Sequence, residues 1–181
     1  MIAARRPAAV ATMAAGLAVL VARPLLPGGR PVLLALFVTL LVVGAAWPLV
    51  TETEPSRVTA LAPGLVLVAG IAAFAAGRLL GGHHPPGPRT AAYIGAITLA
   101  AVAEELFFRR FVYAVLRRGG VAMAVGGSTV LFALAHVTVY GWWVLPLDLA
   151  AGLILGWQRW ASDTWAVPAV THVAANLFVV L

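Results

Sequence analysis

The sequence predicts an all-α fold: a polytopic transmembrane bundle of about seven helices. Three observations predict it. About 62% of the 181 residues are hydrophobic and only 10% are charged, whereas soluble globular domains carry roughly 25% charged residues. Twelve basic and six acidic side chains cannot cover the surface of a soluble domain of this size. The apolar residues also fall in long continuous runs, each near the ~20 residues that cross a bilayer. They do not alternate, so a β-barrel is disfavoured. There is no cysteine, which excludes a disulfide-stapled secreted domain.

Seven runs follow in order, at about residues 8–26, 32–50, 58–80, 91–116, 121–139, 143–160 and 165–181. Turn signals part them: Pro27-Gly28-Gly29, the polar stretch Thr51 to Arg57, the proline-rich stretch Gly81 to Arg89, Gly119-Gly120, Tyr140-Gly141, and Ser162-Asp163-Thr164. Loops this short make neighbouring helices antiparallel. Arg5-Arg6 ahead of the first run could open a signal peptide, but the run reads better as a retained helix. No repeat divides the chain, so residues 1–181 read as a single transmembrane domain. Gly152 and Gly156 form a GxxxG pair for close helix packing. Trp142, Trp143, Trp157, Trp160 and Trp165 fall at span ends, where an aromatic belt explains them.

All the basic residues are arginines, scattered singly or in pairs. They form no basic stripe with interleaved aromatics, so nucleic acid is not a partner. They read as loop charge that sets orientation. Seven spans put Arg5, Arg6, Arg57, Arg117, Arg118 and Arg159 on the side of the N-terminus, against Arg23, Arg30, Arg78 and Arg89 on the other. That bias places the N-terminus in the cytoplasm. The chain is expected to be an integral protein of a bacterial plasma membrane, with lipid as its surroundings. Asp148 reads as a charge favoured by a helix N-terminus, His83 and His84 as solvated loop residues, and Arg110 as a side chain snorkelling to the interface. The sequence sets no oligomeric state.

The fourth run carries charges that a lipid-facing helix would exclude. Glu104 and Glu105 stand side by side, followed by Arg109, and each ionised group near the bilayer centre costs at least ~2.5 kcal/mol. Glu105 and Arg109 are four apart, about 40° around a helix, and can pair on one face. Glu104 points roughly 100° away from Glu105, outside that pairing. It is expected to stay free for proton work while Glu105 acts as a brace. His136 follows Phe132 by four residues on the fifth run, and His172 precedes Asn176 by four on the seventh. Each alone is commonly a core histidine or interhelical polar glue. Together, on three helices, they read as one polar centre inside a bundle.

Two chemistries suit that centre, and both hydrolyse amides. Glu104, His136 and His172 could form an open zinc site, although no HExxH pair is present. Without metal, Glu104 would take a proton from water with help from His136, and His172 and Asn176 would donate to an oxyanion. The metal-free route needs no cofactor; a divalent metal such as zinc is the alternative. Ser56, Ser128 and Ser162 are the only serines, and none sits in a nucleophile elbow.

Glu104-Glu105-x-x-x-Arg109, Phe132-x-x-x-His136 and His172-x-x-x-Asn176, with Gly152-x-x-x-Gly156 and Trp165-x-x-Pro168 before the third, resemble the motifs of the CPBP intramembrane proteases. That family includes type II CAAX prenyl endopeptidases and bacteriocin-immunity (Abi) proteins. The resemblance covers roughly residues 95–181, the expected catalytic core. It implies a helical membrane fold with a polar chamber opening toward the cytosol, and endopeptidase activity on a membrane-associated peptide or protein. Carried over by position, Glu104 is the water-activating base, His136 its partner, His172 and Asn176 the oxyanion donors, and Glu105 and Arg109 supporting residues. No residue of the chain itself points to a prenylated substrate. Two other functions compete: a non-catalytic scaffold or immunity protein that keeps the polar centre as packing glue, and a proton-coupled transporter relaying through Glu104 and His136. The transporter lacks a repeated half and ranks last.

Overall fold

A computed structural model describes residues 5–46, 62–81, 87–178 and 180, and among them there are helices and no strands. His83, His84 and Arg57 lie outside the described residues. The helices are α1 (Arg5–Ala22), α2 (Gly29–Ala46), α3 (Pro63–Leu80), α4 (Ala91–Glu105), α5 (Tyr113–Leu116), α6 (Val121–Tyr140), α7 (Leu145–Ser162) and α8 (Ala166–Phe178). A π-helical stretch, Leu106–Val112, joins α4 to α5. These three pieces form one rod, so the described residues build seven rods, as many as the apolar runs.

Local chemistry sets the ends. The Thr90 hydroxyl accepts the Tyr93 amide at 3.2 Å and caps α4. Gly120 (φ 101°) and Gly141 (φ 89°) bracket α6 in conformations that disfavour a side chain. Pro146 starts α7, and Asp163 stops it in the left-handed region at φ 54°.

Five of the rods are long and apolar enough to cross a membrane: Pro7–Leu25, Gly29–Ala46, Pro63–Leu80, Ala91–Gly119 and Val121–Tyr140. The last two predicted spans do not qualify. α7 carries Asp148, Gln158 and Arg159 and is not among the five. α8 has 13 residues, about 20 Å of helix against a hydrocarbon core of about 30 Å. The site helices at the C-terminal end are therefore partly polar or short, and they pack against α3, α4 and α6.

The α4–α5 rod is central. Phe107, Phe108 and Phe111 are fully buried and pack with Leu20 of α1, Leu36 and Leu40 of α2 and Phe132 of α6. Close approach depends on glycine. A Cβ on Gly44 of α2 would fall 2.6 Å from the Leu106 carbonyl carbon. One on Gly152 would fall 2.9 Å from a Thr129 methyl, and one on Gly156 3.1 Å from Val125. The GxxxG pair thus seats α7 on α6, as its spacing foretells. Trp142 and Trp143 are exposed, in keeping with a belt. Trp157 and Trp160 instead pack around Val66, Ala161 and Val167.

Polarity is inverted relative to a soluble protein. Val10, Val38, Leu65 and Val68 are exposed, while Glu104, Glu105, Arg109, Gln158 and Arg159 are buried. Lipid explains the first set; ion pairs and hydrogen bonds inside the bundle explain the second.

Candidate active site

The six residues singled out from sequence lie at two levels of one polar centre. At the lower level, Glu105 and Arg109 are completely buried and form an ion pair at 3.4 Å. The four-residue spacing pairs them as expected, across the junction of α4 with the π-helical stretch. Arg109 also donates to the Gly152 carbonyl at 3.3 Å, and its guanidinium lies 4.5 Å from the Phe132 ring centroid. The π-helical turn, a frequent mark of functional sites, is braced from α7. Arg159 Nε donates to the Arg109 carbonyl at 3.0 Å, and its Nη1 reaches Asp163 at 3.1 Å. Arg159 is therefore a buried brace, where the sequence placed a loop charge.

At the upper level, Glu104 faces both histidines. Its Oε2 lies 3.7 Å from His136 Nε2 and 4.0 Å from His172 Nε2. The tautomers follow from the other ring nitrogens. His136 Nδ1 is 2.9 Å from the Phe132 carbonyl, which can only accept, so Nδ1 carries the hydrogen. His172 Nδ1 is 2.9 Å from Glu105 Oε1, so it donates there. In the neutral rings both Nε2 atoms then turn lone pairs toward Glu104. Phe132 holds the rings, tilted against His136 at 4.5 Å and edge-on to His172 at 5.8 Å. Asn176 Nδ2 donates to the Ile97 carbonyl at 3.3 Å, which leaves its second N–H available.

Glu104, His136, His172 and Asn176 line one cavity of about 1300 Å³. Its other walls are largely apolar, including Val32, Leu33 and Phe37 of α2 and Ala96, Ile97 and Ala100 of α4. The chamber thus runs between α2 and α4 down to the Glu104 carboxylate.

Three findings correct the sequence reading. Glu104 is not free of a cation: Arg23, in the turn Arg23–Leu25 after α1, donates to Glu104 Oε1 at 3.5 Å and is itself buried. Arg23 had been counted as loop charge, and nothing in a chain separation of 81 residues announces the contact. Asp148 is also more than a helix-end charge. Its Oδ2 is buried without a hydrogen-bond partner and lies 3.8 Å from His136 Nδ1. Arg110, expected to snorkel, donates to the Gly44 and Ala45 carbonyls at the end of α2.

Three lone pairs aimed at one point invite the question of a metal. Among the described residues no group of three or more His, Cys, Asp or Glu side chains has the arrangement of a metal site. Glu104 also already has a resident cation in Arg23. Arg23 competes with any such metal for the Glu104 carboxylate.

An integral membrane bundle with a buried carboxylate–histidine centre defines the class. A family model described as type II CAAX prenyl endopeptidase Rce1-like matches residues 86–178, just over half of the chain, and the protein belongs to that family. The match takes in every motif residue from Glu104 to Asn176 and leaves out Arg23. Comparison with curated proteins and with solved structures found no match.

Proposed function

We propose that the protein is an intramembrane endopeptidase that hydrolyses a peptide bond of a membrane-associated substrate with water activated by Glu104. The observation that carries this reading is the facing of acceptor atoms. Glu104 Oε2 and His136 Nε2 stand 3.7 Å apart with no proton of their own to share. A water beside them, on the chamber side, donates one hydrogen to each. Glu104 takes its proton and the hydroxide adds to the scissile carbonyl carbon. The second N–H of Asn176 and a protonated His172, its charge balanced by Glu105, donate to the oxyanion. His136 passes the proton from Glu104 to the leaving nitrogen, the C–N bond breaks, and a carboxylic acid and an amine result.

The largely apolar chamber walls suit a substrate with a lipid-like or apolar segment. Orientation follows from the loop arginines. With Arg23 and Arg159 removed from the count because they are buried, five arginines remain on the side of the N-terminus and three on the other. The N-terminus lies in the cytoplasm of a bacterium on this reading.

The test is cleavage of a quenched peptide library by purified protein in detergent. Glu104→Ala, His136→Ala and His172→Ala are each expected to lower the rate by about 10²-fold or more. Wild-type cleavage that survives all three substitutions would refute the assignment.

A further inference from the structure

The chamber holds more positive charge than its chemistry uses. Arg23 lines it beside the base, and the exposed Arg30 lines it as well, while Glu104 is the sole carboxylate among the described residues of its wall. A guanidinium has five N–H donors. Arg23 spends one of them on Glu104, at the long distance of 3.5 Å. Asp148 and Tyr140 also lie within electrostatic reach of it, yet a buried cation with a single long hydrogen bond is costly. Its fork matches a carboxylate in two parallel hydrogen bonds. An exposed cation on the same cavity draws an anion inward.

We propose that Arg23 determines specificity by binding a carboxylate of the substrate peptide, and that it loosens its hold on Glu104 as it does so. Arg23 and Arg30 lie outside the residues matched by the family model, so this device belongs to the N-terminal part of the chain. The carboxylate comes from a chain terminus or from an acidic side chain near the scissile bond. In the resting protein the guanidinium keeps Glu104 paired. An arriving carboxylate offers it a two-point partner and leaves Oε1 of Glu104 to solvent and substrate. The base is then released where an anionic substrate is seated.

The identity of the ligand as a substrate rests on the endopeptidase reading, so binding and cleavage are measured separately. The probes are three fluorescent, N-palmitoylated octapeptides of one sequence: one ending in a free carboxylate, one amidated, and one amidated with an internal Glu. Binding to the full chain in neutral detergent is followed by anisotropy. Wild type is expected to bind at least one carboxylate probe about tenfold or more tightly than the plain amide. Arg23→Gln removes that preference and leaves amide binding in place, and Arg23→Lys retains part of it. The carboxylate probe that is preferred shows which source is read. Equal binding of all three probes by wild type, or an equal loss for every probe in Arg23→Gln, overturns the proposal; the wild-type comparison stands even if the variants do not fold. If phosphatidylglycerol at membrane-like levels abolishes the preference and neutral lipid does not, the site reads lipid headgroups and the peptide assignment falls. Carboxylate preference without cleavage refutes the endopeptidase reading and keeps the anion site. Cleavage without preference does the reverse.

Discussion

Glu104 and Glu105 are neighbours with different tasks, and burial separates them. Glu105 is fully buried, with its Oε1 shared between Arg109 at 3.4 Å and His172 at 2.9 Å. Glu104 opens on the chamber. Removing one partner of a buried ion pair strands the other charge, at roughly 3–5 kcal/mol. Glu105→Gln is therefore expected to lower stability in thermal or denaturant unfolding by about that order, and Glu104→Gln much less. Equal losses would contradict the division of roles. Asp148 offers a second contrast. Its buried, unpartnered Oδ2 sits 3.8 Å from the protonated nitrogen of His136. On the proposed route it would stabilise the imidazolium formed as the proton passes to the leaving group. Asp148→Asn should lower kcat about tenfold with KM little changed, as expected when a charge acts in the transition state. An unchanged kcat would return Asp148 to a helix-end role. Because Arg23 already supplies the carboxylate with a cation, treatment with a chelator should leave cleavage intact; full loss restored by zinc would reverse this.

Between the residues and the bundle stands the π-helical stretch Leu106–Val112. It turns Arg109 inward, exposes the Arg109 carbonyl to Arg159 at 3.0 Å, and lies against Gly44 of α2. A Cβ at Gly44 meets backbone, which cannot yield as a flexible side chain does. Gly44→Val is expected to cost about 1–3 kcal/mol in unfolding experiments and to reduce activity with it. The motif residues were legible in the sequence because charge in an apolar helix is conspicuous and four-residue spacing fixes a face. That is why Glu105–Arg109 and the convergence of His136 and His172 on Glu104 follow from it. Arg23, Asp148 and Arg159 were not legible in their roles. Each stands at the end of an apolar run, where a charge ordinarily meets water, and only tertiary packing turns it inward. The π-helical widening left no mark in the residue pattern either, since its aromatic and apolar side chains suit an ordinary helix.

For the whole molecule, composition and the continuous apolar runs together settled the fold class, because so few charges leave lipid as the natural surroundings and unbroken runs suit helices. Among the described residues there are seven rods, five of them long and apolar enough to span, and α7 and α8 pack on α3, α4 and α6, which brings Arg159, His172 and Asn176 to the α4 rod. Packing thus converts a short helix, unsuited to cross by itself, into the wall of a chamber. The central claim is that this chamber splits a peptide bond with water activated at Glu104. Its most direct measurement is cleavage in heavy-oxygen water, with the new terminus read by mass spectrometry for wild type and Glu104→Gln. One solvent oxygen in the new carboxylate made by wild type, and no cleavage above background by Glu104→Gln, is the predicted result. Cleavage by Glu104→Gln at the wild-type rate would contradict it.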